Sequence, residues 1–265
     1  MNTPAPASTV KLAAAHVPGS GGTLLFIHGF PLTRAMWEPA AAELRRLMPK
    51  PPAMILPDLR GHGDSPVART ATMAEMADDL AALLDRRGVT GPVTLVGLSM
   101  GGYVAFEFMR RHRSRVKGLV LACTRANADD DAGRGRREAQ AVAALREGSR
   151  AVVDVYMPNL FGPKTTNELK VAWREIMSRT APEGVAAALR GMASRADQRD
   201  ALTAIDLPTL VVAGEHDLVT PVAALREIHD GIRGSRLEIV SDCGHLAPIE
   251  QPARFAQLLA AFIAP

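Results

Sequence analysis

The sharpest chemical signal in the sequence is a serine flanked by two glycines, in the stretch Gly97-Leu98-Ser99-Met100-Gly101. This is the G-x-S-x-G pattern of a nucleophile elbow, in which the serine lies on a tight turn between a strand and a helix. Side chains two residues before and after the serine would clash in such a turn, whereas glycine has none. The turn lifts the hydroxyl above the sheet and points the helix N-terminus towards it. We therefore interpret Ser99 as a nucleophile.

A serine hydroxyl needs a general base, and His245 is the candidate for that role. His245 follows the last predicted strand and precedes the last predicted helix. A helix-capping or core histidine is the alternative interpretation. A third group must orient the imidazole and stabilise its cation. Asp217 comes directly after a predicted strand, at the sheet edge where the sites of such folds lie, and Glu215 and Asp129 are the competing acids.

The oxyanion that forms on an attacked carbonyl needs backbone N–H donors that are already in place. The residue after the nucleophile, Met100, should supply one donor. The other should come from the loop His28-Gly29-Phe30-Pro31, in which Phe30 is the candidate because Pro31 has no N–H. The Phe30 ring could also line the acyl pocket. We expect His28 to orient this loop by hydrogen bonding.

These residues occur in a chain in which strands alternate with helices. The predicted strands are residues 23–28, 53–57, 92–97, 116–123, 207–213 and 236–240, and the predicted helices are residues 39–48, 73–87, 101–111, 222–232 and 252–263. Strands that are apolar throughout indicate a parallel sheet that is covered on both faces. The predicted fold class is therefore α/β, with a mostly parallel sheet flanked by helices.

The alternation stops between residues 124 and 204, where helical signals occur without a convincing strand. Within this segment, the charged, glycine-containing residues 129–137 are predicted to be an exposed linker. We therefore predict a discontinuous core, made of residues 1–123 and 205–265, and a helical insertion over residues 124–204.

The motifs as a set resemble the α/β-hydrolase superfamily over nearly the whole chain. They are His28-Gly29, the loop 58–65, the elbow and Gly244-His245. In that superfamily the catalytic residues follow in the chain order serine, acid, histidine, which is the order of Ser99, Asp217 and His245. Residues 97–102 and 195–197 further resemble the group of 3-oxoadipate enol-lactonases and related carboxylesterases.

The resemblance implies that the helical insertion is a cap, or lid, over Ser99. Its apolar residues would then face a substrate pocket, namely Met157, Leu160, Phe161, Trp173 and Met177. The alternative is that they only pack the cap against the core. Arg195 could hold a substrate carboxylate, as an acidic lactone would require, or it could form a surface or cap-hinge salt bridge with Asp197.

Composition excludes several other classes of protein. The hydrophobic share of 47% and the charged share of 22% are ordinary for a globular chain. A net charge of +3, from 31 basic and 28 acidic residues, gives no reason to expect nucleic acid or an anionic membrane as a partner. Cys123 and Cys243 are too few for a disulfide framework and fit a reduced cytoplasmic setting. Residues 1–8 lack the pattern of a signal peptide.

We expect neither a metal nor an organic cofactor. The glycine-rich residues 19–22 are not followed by the Lys-Ser/Thr of a phosphate loop. Cys243 lies near His245, but the sequence offers no second Cys/His cluster with metal spacing. The expected partner is a small-molecule ester or lactone, and a monomer or homodimer is expected.

The sequence thus predicts a cofactor-free serine hydrolase of carboxylic esters or lactones, with Ser99, His245 and Asp217 as its triad and an acyl-enzyme intermediate. Serine at the elbow argues against dehalogenases and epoxide hydrolases, which carry aspartate there. Carbon–carbon bond hydrolases and perhydrolases with the same triad are alternatives, as is a receptor that hydrolyses its ligand slowly.

Overall fold

A computed structural model describes residues 9–264 of the chain, so the signal-peptide prediction for residues 1–8 lies outside the described residues. Within the described part, seven strands form one sheet in the order β1-β3-β2-β4-β5-β6-β7. The strands are β1 (Ala14–Val17), β2 (Thr23–Ile27), β3 (Ala53–Pro57), β4 (Val93–Leu98), β5 (Val116–Ala122), β6 (Thr209–Gly214) and β7 (Arg236–Val240). All neighbouring strands are parallel except β1, which pairs antiparallel with β3. The predicted α/β class with a mostly parallel sheet is confirmed.

Helices cover both faces of this sheet. They are α1 (Glu38–Leu47), α2 (Met73–Arg86), α3 (Met100–Arg111), α4 (Asp131–Glu147), α5 (Ser149–Leu160), α6 (Asn167–Ser178), α7 (Pro182–Ala193), α8 (Val222–Gly231), α9 (Ala247–Glu250) and α10 (Pro252–Ile263). Successive residues of a strand point to opposite faces. Leu25 of β2 accordingly packs in one hydrophobic cluster with Leu80 of α2, and Phe26 packs in the other with Leu44 of α1. No helix described between residues 9 and 264 has both the length and the apolar character needed to cross a bilayer.

The edge strand β1 was not predicted from the sequence. The edge strand β1 has four residues, of which three are half-buried and one is exposed. A strand this short shows neither the continuous apolar run of a buried strand nor a full alternation. Its position is decided by pairing with β3 instead, in the register Ala14 with Pro57.

The prediction of an exposed linker over residues 129–137 is wrong, because α4 begins there. The side chain of Asp130 caps the helix by accepting a hydrogen bond from the Gly133 amide at 2.6 Å. Asp129, just before the helix, forms ion pairs with Arg137 of α4 and with Arg195, which hold this segment in place. Glycines at 133 and 135 lower the intrinsic helix propensity, but the cap and these tertiary contacts outweigh that loss.

A buried ion pair joins the loop 58–65, which follows β3, to helix α2. Arg60 Nε lies 2.6 Å from Asp79 Oδ2 of α2, and Arg60 Nη2 lies 2.9 Å from Asp79 Oδ1. The Asp79 side chain is fully buried and that of Arg60 is 2% exposed. Both charged groups are shielded from water, so separating them would leave each charge without a partner. The pair therefore holds the loop against the helix.

Asp79→Asn is expected to lower the free energy of unfolding by about 3 kcal/mol, since it removes the buried carboxylate of the pair and leaves the Arg60 guanidinium with only its second partner, Glu75 at 3.2 Å. The matched control is Glu138→Gln, which breaks the solvent-exposed pair between Glu138 and Arg190 and should cost less than about 1 kcal/mol. Urea unfolding followed by circular dichroism measures both values. Equal losses in the two variants would contradict the structural role of the buried pair.

Candidate active site

Ser99 lies between the end of β4 and the start of α3, with backbone angles φ 55° and ψ −114°. A positive φ is strained for a residue with a side chain, and such strain persists only where the surroundings impose it. Here the Ser99 amide donates to the carbonyl of Ala122 at 2.9 Å, and the Thr124 hydroxyl donates to the Ser99 carbonyl at 2.8 Å. The end of β5 therefore holds the turn that presents the Ser99 side chain.

The two glycines of the elbow are required by close backbone contacts. A Cβ atom on Gly97 would lie 2.5 Å from the carbonyl oxygen of Gly101. A Cβ atom on Gly101 would overlap the carbonyl oxygen of Ile27, at the end of β2. The glycines thus let α3 begin directly against the sheet, as the pattern predicts.

Asp217 and His245 form a buried pair. Asp217 Oδ2 lies 2.8 Å from His245 Nδ1, and their side chains are at most 3% exposed. The carboxylate also accepts hydrogen bonds from the amides of Val219 and Thr220 at 2.8 Å and from the Thr220 hydroxyl at 2.6 Å. Burial would raise the pKa of Asp217, but the charge and hydrogen bond of His245 and the bonds from Thr220 lower it overall.

The pair also fixes the imidazole. Because Nδ1 of His245 donates its proton to an ionised carboxylate, Nε2 carries the lone pair in the neutral ring. The His245 amide donates to the carbonyl of Leu160 at 2.8 Å, which ties this loop to the end of α5. The competing acids lie elsewhere: Glu215 is exposed and accepts from the Asp242 amide, and Asp129 pairs with two arginines.

Ser99 and His245 line the same cavity, which has a volume of about 270 Å³. The other lining residues are Phe30, Tyr103, Arg125, Asp129, Gly133, Arg136, Arg137, Gln140, Tyr156, Leu160, Met192 and Val219. No hydrogen bond joins Ser99 to His245 in the described part of the chain, and such bonds often tighten only when substrate is present. The cavity gives the hydroxyl and the imidazole a shared space in which a substrate carbonyl can lie.

Only Leu160 of the five apolar residues predicted to face the pocket lines the cavity. Trp173 and Met177 are buried in the hydrophobic cluster that also contains Leu160, and Met157 and Phe161 pack against that cluster. These four residues therefore pack in or against the cluster, and none of them lines this cavity. Hydrophobicity alone could not distinguish packing from lining a cavity, because both environments favour apolar side chains that are shielded from water.

Several polar side chains that line the cavity, such as those of Tyr156 and Gln140, were not predicted from the sequence. Tyr156 lies four residues before Leu160, so both project from one face of α5. The Tyr156 hydroxyl lies 3.0 Å from Gln140 Oε1 of α4. Helical spacing from Leu160 could have identified Tyr156. The α4 residues could not be found this way, because their segment was interpreted as a linker.

Two predicted oxyanion donors face no protein acceptor. Among residues 9–264, neither the Phe30 amide nor the Met100 amide donates a hydrogen bond to another protein group.

His28 behaves as predicted for a loop-orienting residue: Nδ1 donates to the Gly29 carbonyl, and Nε2 accepts from the Leu59 amide, both at 2.9 Å. Burial lowers the pKa of His28 to about 4, so it stays neutral near pH 7.

Arg195 does not reach the cavity. Its Nη2 lies 2.8 Å from Asp129 Oδ1, and its guanidinium stacks on the Tyr103 ring at 4.4 Å. Asp197 pairs with Arg199 instead. The predicted salt bridge with Asp197 is therefore wrong, and Arg195 is not among the residues that line the cavity. The carboxylate with which it pairs, that of Asp129, is 66 positions away in the sequence, which no local pattern indicates.

The thiol of Cys123 lies beside the buried pair of Asp217 and His245. Its Sγ, an Asp217 carboxylate oxygen and a His245 ring nitrogen all lie within 4.8 Å of one another. These are side chains of metal-ligating types. However, burial and then the charge of Asp217 raise the pKa of the Cys123 thiol well above its usual value, so the sulfur keeps its proton. A protonated thiol is a poor ligand, and the absence of a metal cofactor stays a prediction.

The family model described as the alpha/beta hydrolase fold matches residues 22–252. The chain belongs to this family. The superfamily resemblance seen in the motifs is thereby confirmed.

Individual relatives extend the comparison. The structure of a thermophilic esterase from Thermogutta terrifontis, with malate bound, is 39% identical with a TM-score of 0.92 and covers 98% of this chain and 96% of that one. The 3-oxoadipate enol-lactonase 1 of Acinetobacter baylyi is 27% identical over 93% of this chain and 90% of its own length. A pimeloyl-[acyl-carrier protein] methyl ester esterase of Neisseria meningitidis is 29% identical over 93% of this chain and 95% of its own length.

Proposed function

We propose that this protein is a carboxylic ester hydrolase in which Ser99, His245 and Asp217 act as a catalytic triad on esters or lactones. The observation that carries the proposal is the buried pair of Asp217 and His245, whose imidazole shares a cavity with the strained elbow serine. Relatives named as esterases and as an enol-lactonase support the reaction class.

The proposed mechanism follows from the hydrogen bonds of the imidazole. His245 Nε2 takes the proton of the Ser99 hydroxyl as the oxygen attacks the substrate carbonyl. The imidazolium that results is stabilised by Asp217, which stays ionised. The amides of Phe30 and Met100 hold the oxyanion. His245 then protonates the leaving alkoxide and activates the water that hydrolyses the acyl-enzyme.

We also propose that residues 124–204 act as a lid on a core made of residues 1–123 and 205–265. Helices α4 to α7 all lie between β5 and β6 in the chain. Residues of α4, α5 and α7 line the cavity together with Ser99 and His245. A cavity roofed in this way excludes water from the reacting groups and limits the length of the acyl chain that fits.

A panel of p-nitrophenyl esters of graded acyl length, together with several lactones, tests the proposal. We expect turnover, with the C4 ester hydrolysed faster than the C12 ester, because a cavity of about 270 Å³ is small for a long chain. The lid proposal is contradicted if the C12 ester is the faster substrate.

Labelling with a fluorophosphonate separates enzyme from receptor. An enzyme should be labelled at Ser99 and turn over the panel, whereas a slowly hydrolysing receptor should be labelled with hardly any turnover. Carbon–carbon bond hydrolase activity would appear as turnover of diketones, and perhydrolase activity as formation of a peracid from a carboxylic acid and added hydrogen peroxide, in each case faster than hydrolysis of every ester in the panel.

A further inference from the structure

The cavity beside Ser99 is lined by two chemically different groups of residues. Phe30 and Leu160 are apolar, and Phe30 packs edge-on against the Tyr156 ring, with ring centroids 5.9 Å apart. A second group is charged and consists of Arg125, Arg136, Arg137 and Asp129. With three arginines against one aspartate, and His245 counted as neutral, the lining carries two net positive charges. An uncharged ester carries no anionic group that could pair with these positive charges.

Arg125 is the arginine next to the reacting groups. It directly follows Thr124, whose hydroxyl donates to the Ser99 carbonyl at 2.8 Å. Its Nη2 donates to the carbonyl of Val219, and the Val219 amide donates to Asp217 Oδ1 at 2.8 Å. The Arg125 guanidinium therefore lies between the elbow and the loop that carries the catalytic acid.

Arg125 also has unused hydrogen-bonding capacity. A guanidinium offers five N–H donors, but within residues 9–264 the bond to Val219 is the only one that Arg125 makes to protein. Its Nε is buried without a partner, and no carboxylate of the described residues forms an ion pair with it. The positive charge of Arg125 therefore has no counter-charge among the described residues, and a carboxylate bound in the cavity would supply one.

Two nearby arginines already have a carboxylate partner, which distinguishes Arg125 from them. Arg137 and Arg195 both pair with Asp129. Burial would raise the pKa of Asp129, but hydrogen bonds from these two arginines lower it to about 2. Asp129 is therefore ionised near neutral pH and committed to them. Arg136 is exposed to solvent, so water can hydrate its charge.

We propose that Arg125 binds the carboxylate of an anionic substrate whose ester carbonyl is attacked by Ser99. The substrate class is a monoester of a dicarboxylic acid, or a lactone that carries a carboxylate. This inference rests on the proposed function, because it needs the scissile carbonyl at Ser99. Arginine suits the role because its planar fork binds a carboxylate through two parallel hydrogen bonds.

Two esters of equal chain length test the proposal: the 4-nitrophenyl monoester of adipic acid and 4-nitrophenyl hexanoate. They differ only in the terminal carboxylate. In the wild-type protein, kcat/KM should be higher for the anionic ester. Arg125→Met should lower the ratio of the two kcat/KM values by about 10- to 100-fold, the effect expected for losing hydrogen bonds to a charged group.

Two further variants control for charge and geometry. Arg125→Lys keeps the charge but not the fork, so its ratio should lie between those of the wild type and Arg125→Met. Arg146→Met removes an exposed arginine of α4 that does not line the cavity and should leave the ratio unchanged. A ratio that is equal in all four proteins would overturn the proposal.

A measurement on the wild type alone covers the case in which the variants do not fold. Adipate should inhibit hydrolysis of the hexanoate ester competitively, and adipamide, its uncharged analogue, should not. Equal inhibition by both compounds contradicts an anion anchor. If the wild type hydrolyses neither ester, the hydrolase function itself is wrong. If it hydrolyses both but shows no preference for the anion, only the role of Arg125 is wrong.

Discussion

Ser99→Ala is expected to lower kcat for p-nitrophenyl butyrate by about 10⁶-fold, the scale seen when a triad serine is lost. Without the hydroxyl no acyl-enzyme forms, and only the oxyanion donors and substrate binding remain. The protein should stay folded because, in the described part of the chain, Ser99 is held through its backbone rather than its side chain. Steady-state kinetics measures the loss of kcat, fluorophosphonate labelling tests whether the reactive hydroxyl is gone, and thermal unfolding tests whether the protein is still folded.

The matched control is Ser20→Ala, which removes an exposed serine in the turn before β2. Its activity and labelling should equal those of the wild type. Retention of more than about one hundredth of wild-type activity by a folded, homogeneous Ser99→Ala protein contradicts the assignment, because a triad serine contributes far more than that. A thermal midpoint close to that of the wild type would show that any loss is chemical.

Asp217→Asn should lower kcat by about 10⁴-fold, because an amide favours the wrong imidazole tautomer and cannot stabilise the cation. The change keeps an acceptor oxygen for the amides of Val219 and Thr220, so the loop should still fold. Fluorophosphonate labelling of Ser99 should slow in parallel with kcat, since both reactions need the serine proton to be removed by His245.

Glu215→Gln is the control for the choice of acid, since Glu215 was the nearest competitor in the sequence. Glu215 is exposed and accepts a hydrogen bond from the Asp242 amide, which glutamine can also accept. We expect kcat to change by less than about threefold, as for a surface residue away from the reacting groups. If Glu215→Gln loses as much activity as Asp217→Asn, the pairing of Asp217 with His245 is not the catalytic one.

Local sequence patterns predicted the parallel sheet and the elbow because short-range sterics determine both. A fully buried strand must be apolar along its whole length, as β4 is. The elbow needs glycine at 97 and 101 because backbone atoms meet there. The same reasoning placed Asp217 and His245 in loops after strands, since the carboxyl ends of parallel strands share one edge of the sheet. For these features sequence order is sufficient.

Tertiary structure alone decided what surrounds the elbow. Trp173 and Met177 are as apolar as Leu160, yet they pack in the core while Leu160 faces the cavity. Arg195 was the candidate anion ligand, but it pairs with Asp129, whereas Arg125 lines the cavity and forms no ion pair with the described residues. Whether a charge is available depends on which carboxylate lies within about 4 Å, and partners here are tens of residues apart in the chain. The sequence thus determined the proposed catalytic chemistry, and packing of α4, α5 and α7 determined which side chains a substrate meets.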